Sequence, residues 1–435
     1  MAPATGVDHI SPLGLSLAHR LASRWGPALR HREFRLLWLS LLPGTLGIMM
    51  ASVAFGYVAY ALTGSATMLA LTSAGWGVPM IFVSPIAGVV ADRYPRRNVL
   101  LATQVTLSLS AAIAAALVFS GVVQIWHLVG VALLQGTAFA FNMPARQALM
   151  AELVGPRDLG NAIALSNAGL NLNRILGPAF AGVLLSIPAI GAGGVFALMA
   201  ALYVVVSIAL LRLPTTTIAA RPDARQARSS GRQLIAGLQY VLSQPQLRRL
   251  LLLAFLPVLF GMPYQSLMPA TAARVFGVDA AGLGALLSAN GVGALLGSLV
   301  VAAVSGAEGT AVRLRRLQLF SGLLMGIAVV AFGLIGLFLP ALVLVALAGA
   351  AASAYTAVNN TLLMHGAEPQ YHGRVMSVYM MAFASMPLSA LPAAWAADHL
   401  GLPITLVASG VICATLVAAL ASGGARPLAV KSATA

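Results

Sequence analysis

Apolar residues in this chain come in long unbroken runs, separated by short clusters of Gly, Pro and charge. The runs lie near 36–62, 66–91, 99–120, 126–143, 160–186 and 191–212, then 249–275, 281–304, 315–338, 341–364, 373–398 and 402–421. A helix needs about 20 mostly apolar residues to cross a bilayer, whereas a barrel strand needs only about 10 that alternate. Continuous runs of this length predict helices, twelve of them, and so an all-α integral membrane protein. Between the sixth and seventh runs the pattern changes. Residues 214–233 are rich in Thr, Ala, Arg and Ser, and Leu234, Ile235, Leu238, Val241 and Leu242 then repeat on one helix face. That predicts a linker with an interfacial amphipathic helix. The chain divides accordingly into an N-terminal segment 1–33, a six-helix bundle 34–213, a linker 214–248, a second six-helix bundle 249–421 and a tail 422–435.

Composition supports the membrane reading. The hydrophobic set makes up 60% and charged residues only 8%, against roughly 25% charged in soluble chains. A net charge of +15 could point to nucleic acid, but its placement is topological. Between the predicted spans, 23 of the 25 Lys and Arg fall on one side, and only Arg174 and Arg274 fall elsewhere. By the positive-inside rule that side is cytoplasmic and holds both termini. The Arg and Ala bias suits a bacterial inner membrane, and a monomer with no nucleic-acid partner is expected. The single cysteine, Cys413, forms no internal disulfide, and no Cys/His cluster has metal-ligand spacing. No metal or cofactor is expected. No Ser/His/Asp set and no phosphate-binding glycine loop is present, so an enzyme is not expected either.

Weak internal similarity relates the halves. Ala74-Gly75-Trp76-Gly77 in the second span has a counterpart in Ala289-Asn290-Gly291-Val292-Gly293 in the eighth. Small residues allow close helix packing, and transporter folds are commonly built from repeats. Between spans 2 and 3 the chain reads Gly88-Val89-Val90-Ala91-Asp92-Arg93-Tyr94-Pro95-Arg96-Arg97. This resembles the loop motif of the major facilitator superfamily, G-x-x-x-D-R-x-G-R-[RK], with Pro95 at the second glycine position. Phe34-Arg35-Leu36-Leu37-Trp38, Leu62-Thr63-Gly64-Ser65, Pro144-Ala145-Arg146-Gln147-Ala148-Leu149, Gly177-Pro178 and Gly373-Arg374-Val375-Met376-Ser377 resemble the branch of enterobactin, macrolide and multidrug exporters. The resemblance runs from about residue 31 to 421.

It implies the major facilitator fold, two pseudo-symmetric bundles around a central cavity, and secondary active transport by alternating access. A proton-driven exporter of small amphipathic compounds, drug-like molecules or a siderophore, is the leading expectation. An uptake permease or facilitator on the same fold is the alternative, and a receptor or assembly factor the non-transporting one. Within the motif, which opens at Gly88, Asp92 would form a conformational latch with Arg93, Arg96 and Arg97, with Arg146 and Glu152 as partners. Gly177-Pro178-Ala179-Phe180-Ala181-Gly182 is similar to the antiporter signature GPxxGG, associated with export, although Gly-Pro pairs also occur in ordinary membrane helices.

The polar residues within spans are the candidate substrate contacts. Arg174 lies near mid-membrane, where a charge costs a few kcal/mol. With Asn167 and Asn171 it follows i, i+4, i+7 spacing, one polar stripe suited to an anionic or catechol-rich substrate. The alternative is that Arg174 holds helices together through carbonyls. Gln135, Tyr264, Gln265, Asn359 and Tyr379 are further cavity candidates, each better suited to interhelical hydrogen bonding than to ligand contact. No Asp or Glu lies in the central part of any span, although such carboxylates are the usual proton carriers.

Overall fold

The structure, a computed structural model, describes residues 26–214, 238–305, 310–368, 371–372, 375–376, 378–379 and 386–422. The expected N-terminal segment up to residue 25, most of the linker, Gly373, Arg374 and Ser377 of the second-half motif and the tail from 423 lie outside the described residues, as does the side chain of Asp92.

Helices α1 (Arg32–Thr63), α2 (Ala66–Arg93), α3 (Arg96–Phe119), α4 (Ile125–Ser186) and α5 (Gly191–Leu211) form the first half. Gly64 ends α1 in the left-handed region at φ 61°, donating its N–H to the Tyr60 carbonyl, the usual glycine stop. At 62 residues α4 has a contour of about 93 Å, some three bilayer cores. It is two spans, because Gly155 leaves helical geometry (φ 70°, ψ 173°) and Pro156 starts the second limb, a favoured first-turn position. Side-chain contacts fix the reversal. Along the first limb Glu152 meets Arg96 and Asn142 meets Thr103, antiparallel to α3. Along the second, Asp158 meets His31, Leu165 meets Trp38 and Asn173 meets Leu42, parallel to α1. The first limb also runs past the residue 143 boundary that Pro144 suggested. A membrane helix tolerates proline where neighbours cover the freed carbonyl.

The second half holds α6 (Pro245–Leu256), a π-helical turn (Pro257–Gly261), α7 (Tyr264–Arg274), α8 (Ala280–Ser305), α9 (Thr310–Leu334), α10 (Phe338–Gly366), α11 (Met386–Leu400) and α12 (Leu402–Ser422). The 249–275 run, expected as one helix, is broken. Pro257 has no N–H to give the Leu253 carbonyl, which accepts instead from the Tyr355 hydroxyl at 2.7 Å. The Val258 carbonyl, five residues before Pro263, accepts from Ser389 Oγ at 3.3 Å. Before α6, residues 238–243 are helical, and Val241 is buried beside Leu247, Leu250 and Leu363. This part of the expected interfacial helix rests on the second half, with Tyr240 stacked on Tyr371 at 3.9 Å.

Among the described residues ten helices are long and apolar enough to cross a membrane, α4 and the α6–α7 pair each counted once. No strand occurs among the described residues. Phe82, Leu334 and Leu339 are more than 70% exposed, a wall that suits lipid rather than water. The internal repeat reappears as packing. A Cβ on Gly75 would lie 3.2 Å from the Val129 carbonyl in α4, and Gly293 similarly faces the Ala346 carbonyl of α10. In each half, therefore, the second span lies backbone to backbone on the fourth.

One end of the molecule carries Arg93, Arg96, Arg97, Arg157, Arg212, Arg248, Arg249, Arg313, Arg315 and Arg316 at helix termini. This basic end is distinguished below from the opposite end.

Candidate functional site

The second limb of α4 positions the polar stripe. Asn173 is buried and donates from Nδ2 to the Leu42 carbonyl at 2.8 Å and to Thr45 Oγ1, both on α1. That anchor turns Asn167 and Arg174 outward, both exposed, with Asn171 half-buried. The side chains of Asn167, Asn171 and Arg174 make no hydrogen bond among the described residues. Arg174 stands near the middle of its limb, about 27 Å from one end and 18 Å from the other. Its guanidinium is close enough to the Tyr264 hydroxyl, on α7 of the other half, to interact electrostatically. Tyr264 is buried and its hydroxyl accepts from Asn290 Nδ2 at 2.6 Å, while Gln265 beside it is half-buried. The two halves meet closely here. A Cβ on Gly291 would lie 2.8 Å from the Arg174 carbonyl, and Ser288 Oγ donates to the Ile175 carbonyl at 2.8 Å. Arg174, Tyr264 and Gln265, distant in sequence, therefore share one junction.

The remaining polar candidates sit apart. Asn359 accepts from Gln318 Nε2 at 2.6 Å, and the Tyr379 hydroxyl donates to the Thr356 carbonyl at 3.2 Å. Both line a small pocket in the second half, with Met262, Met325 and Tyr355, beside the π-helical turn. Asn359 is buried there, close enough to the Tyr379 hydroxyl to bond it. Gln135 is buried within the first half, its Nε2 without a partner among the described residues.

The expected gating residues divide between the two ends. At the basic end Arg96 Nη1 donates to Glu152 Oε2 at 2.8 Å and to the Ala148 carbonyl at 3.2 Å. Arg97 caps α5 through the Leu210 and Leu211 carbonyls at 3.0 and 2.8 Å. Cations at a helix C-terminus are favourable. Arg146 donates to Asn142 Oδ1 at 3.5 Å and to the Leu37 carbonyl at 3.4 Å, not to Glu152. Arg93 is exposed, and Gly88 has open space where a Cβ would stand. These contacts of Arg96, Arg97 and Arg146 all lie within the first half. Gly177 packs on Met49 of α1, and the Pro178 carbonyl would lie 2.6 Å from a Cβ on Gly284 of α8. The Gly-Pro pair thus stands where α4 touches the second half.

The opposite end holds a cluster that spacing did not reveal. Asp398, in the last turn of α11, accepts from Ser65 Oγ at 2.6 Å, Ala66 N at 2.8 Å and Thr67 N at 2.9 Å. A carboxylate of the second half thereby caps the N-terminus of α2 in the first. Arg274, ending α7, donates to the Gly64 carbonyl, lies 5.5 Å over the Tyr60 ring and stands 3.9 Å from Asp398. Its only sequence signal was that Arg274 lay off the basic face.

The family model described as transmembrane secretion effector matches residues 22–433. Macrolide efflux protein A of Streptococcus pyogenes is 24% identical over 394 residues, covering 88% of this chain and 95% of that protein. The enterobactin exporter of Citrobacter koseri is 26% identical over 355 residues, 80% of this chain and 81% of that one. Among solved structures, a bacterial homolog of the human lysosomal transporter Spinster, inward-facing and unoccupied, aligns with TM-score 0.69 at 14% identity, over 89% of this chain and 95% of that one.

Proposed function

We propose that this chain, which belongs to the transmembrane secretion effector family of the major facilitator superfamily, exports small amphipathic compounds by alternating access. It is a multi-pass membrane transporter and not an enzyme. In this reading the protein sits in a bacterial inner membrane with the basic end and both termini facing the cytoplasm, and the bundles 34–213 and 249–421 rock about the junction of α4 and α8. Asn167, Asn171 and Arg174 bind substrate together with Tyr264 and Gln265, while Asn359 and Tyr379 offer a second polar contact. Gly88, Asp92, Arg93, Arg96 and Arg97 act on the cytoplasmic gate, with Arg146 and Glu152 nearby.

The observation that carries the reading is a mid-membrane guanidinium that holds no acceptor among the described residues while facing the other half. A receptor or assembly factor would satisfy Arg174 with carbonyls to seal its interior. Here α4 uses Asn173 for that purpose and leaves Arg174 accessible. Efflux names among the relatives favour export over uptake.

Energised cells making the wild type should retain less of an amphipathic dye than control cells. Arg174→Ala at equal membrane abundance should lose most of that effect, since a charge-assisted hydrogen bond contributes about 1.5–3 kcal/mol, roughly 10- to 100-fold in affinity. Equal efflux by the variant would remove Arg174 from the substrate site. Greater dye accumulation with the wild type would reverse the direction of transport.

A further inference from the structure

No group that titrates near neutral pH stands in the middle of a described span. Among the described carboxylates, Glu33 is in the first turn of α1, Glu152 pairs with Arg96, Asp158 with His31, Asp279 caps α8 through Gly282 N, Glu368 follows α10, and Asp398 caps α2. Histidines are held at ends as well: His127 caps the start of α4, His365 lies in the last turn of α10, and His399 bonds Trp395 in the last turn of α11. Asp92 ends α2, and Asp8, Asp223 and Glu308 lie outside the described residues and outside the apolar runs of the sequence. Among the described residues, Arg174 is consequently a fixed positive charge near mid-membrane with no carboxylate or histidine beside it.

We propose that the cargo is an organic anion, a carboxylate or catecholate that supplies the missing counter-charge at Arg174, and that the membrane potential alone drives its export. The inference rests on the exporter reading above. A guanidinium takes a carboxylate or a pair of catechol oxygens in a two-point fork. Binding leaves the loaded site neutral, so the anion crosses the apolar layer as part of an ion pair rather than as a bare charge. The guanidinium stays with the protein, and each cycle moves only the charge of the anion. A cell interior is negative, so outward movement of an anion is electrically downhill. A potential of 100 mV sustains about a 50-fold concentration ratio for one elementary charge. Export on this scheme requires no exchanged proton, and the same sign opposes uptake of the anion.

The test uses purified full-length protein in liposomes at equal pH inside and out, with potassium gradients and valinomycin to set the potential. The probes are 2,3-dihydroxybenzoate and carboxyfluorescein as anions and ethidium as a cation. Efflux of at least one anion should rise about tenfold between zero and 100 mV, interior negative. A pH gradient of one unit at zero potential should add nothing. Arg174→Gln should abolish the potential-driven flux, and Arg174→Lys, which keeps the charge but not the fork, should retain part of it. Both variants are compared at equal reconstituted amounts of monodisperse protein. A flux that follows the pH gradient at zero potential, movement of ethidium alone, or unchanged potential dependence in Arg174→Gln each overturns the proposal and leaves transport standing. No movement of any probe under either gradient overturns the exporter reading along with it.

Discussion

Asn173 and Arg174 are neighbours with opposite tasks. One helical step rotates the side chain by about 100°, so the first reaches into α1 while the second faces the junction with α7. Interhelical hydrogen bonds in membranes average about 0.6 kcal/mol and reach about 1.7. Asn173→Ala should therefore lower the thermal midpoint in detergent by a few degrees. Asn171→Ala, on the outward stripe, should leave stability within about 0.5 kcal/mol and reduce transport at equal abundance. Paired thermal-shift and transport measurements on both variants check this, and a destabilised Asn171→Ala would show that the stripe is structural. The stripe was legible because three polar residues recur at i, i+4 and i+7 in an apolar run. Asn173 was not, because a single polar residue between them has no periodic signature, and only its contact with Leu42 and Thr45 reveals its role.

Helices, too, were legible in existence more than in continuity. Hydropathy predicts that a run crosses, but it is blind to how prolines inside the run are accommodated. Pro144 leaves the first limb of α4 continuous, whereas Pro257 and Pro263 frame a π-helical turn between α6 and α7. What decides is the partner for each freed carbonyl, and for Leu253 that partner is Tyr355, 102 residues away. Glycine repeats were better guides, since Gly75 and Gly293 both serve close approach of the second and fourth spans of their halves. Tyr355→Phe strips the hydroxyl and leaves a buried carbonyl unpaired, a loss of about 1–3 kcal/mol. Ser389→Ala should cost less, because its bond to Val258 is long and its shorter bond goes to Met386 in its own helix. Thermal unfolding of the two variants in the same detergent gives the order. If Ser389→Ala proves the more damaging, the account of the α6–α7 break fails.

At the scale of the molecule, several contacts join the described residues of the two halves. Gly182 and Gly284 bring α4 and α8 together, Gly56 receives Pro269 of α7, and the cluster of Asp398 and Arg274 grips the α1–α2 turn. The first two rest mainly on shape, with the single Ser288 bond to the Ile175 carbonyl beside the first, and survive small rotations. The third joins directional bonds across the halves, and Asp398 lies 333 residues from Ser65 in sequence. No local pattern could announce such a pairing. Alternating access requires the halves to part at each end in turn, so a bond set confined to one end is made in only one of the two states. Such a difference is what shifts a population. Asp398→Ala removes three hydrogen bonds to a charged acceptor and leaves Arg274 without its carboxylate. Losing even one such bond, about 1.5–3 kcal/mol, should raise the population open at that end by tenfold or more. Spin labels on Thr63→Cys and Leu400→Cys, flanking the cluster on opposite halves, report the separation, since the single native cysteine, Cys413, is buried. The wild-type background should give one short distance, with a longer population appearing in Asp398→Ala and in Arg274→Gln. Identical distance distributions in all three would mean that glycine packing at α4 and α8 alone closes this end.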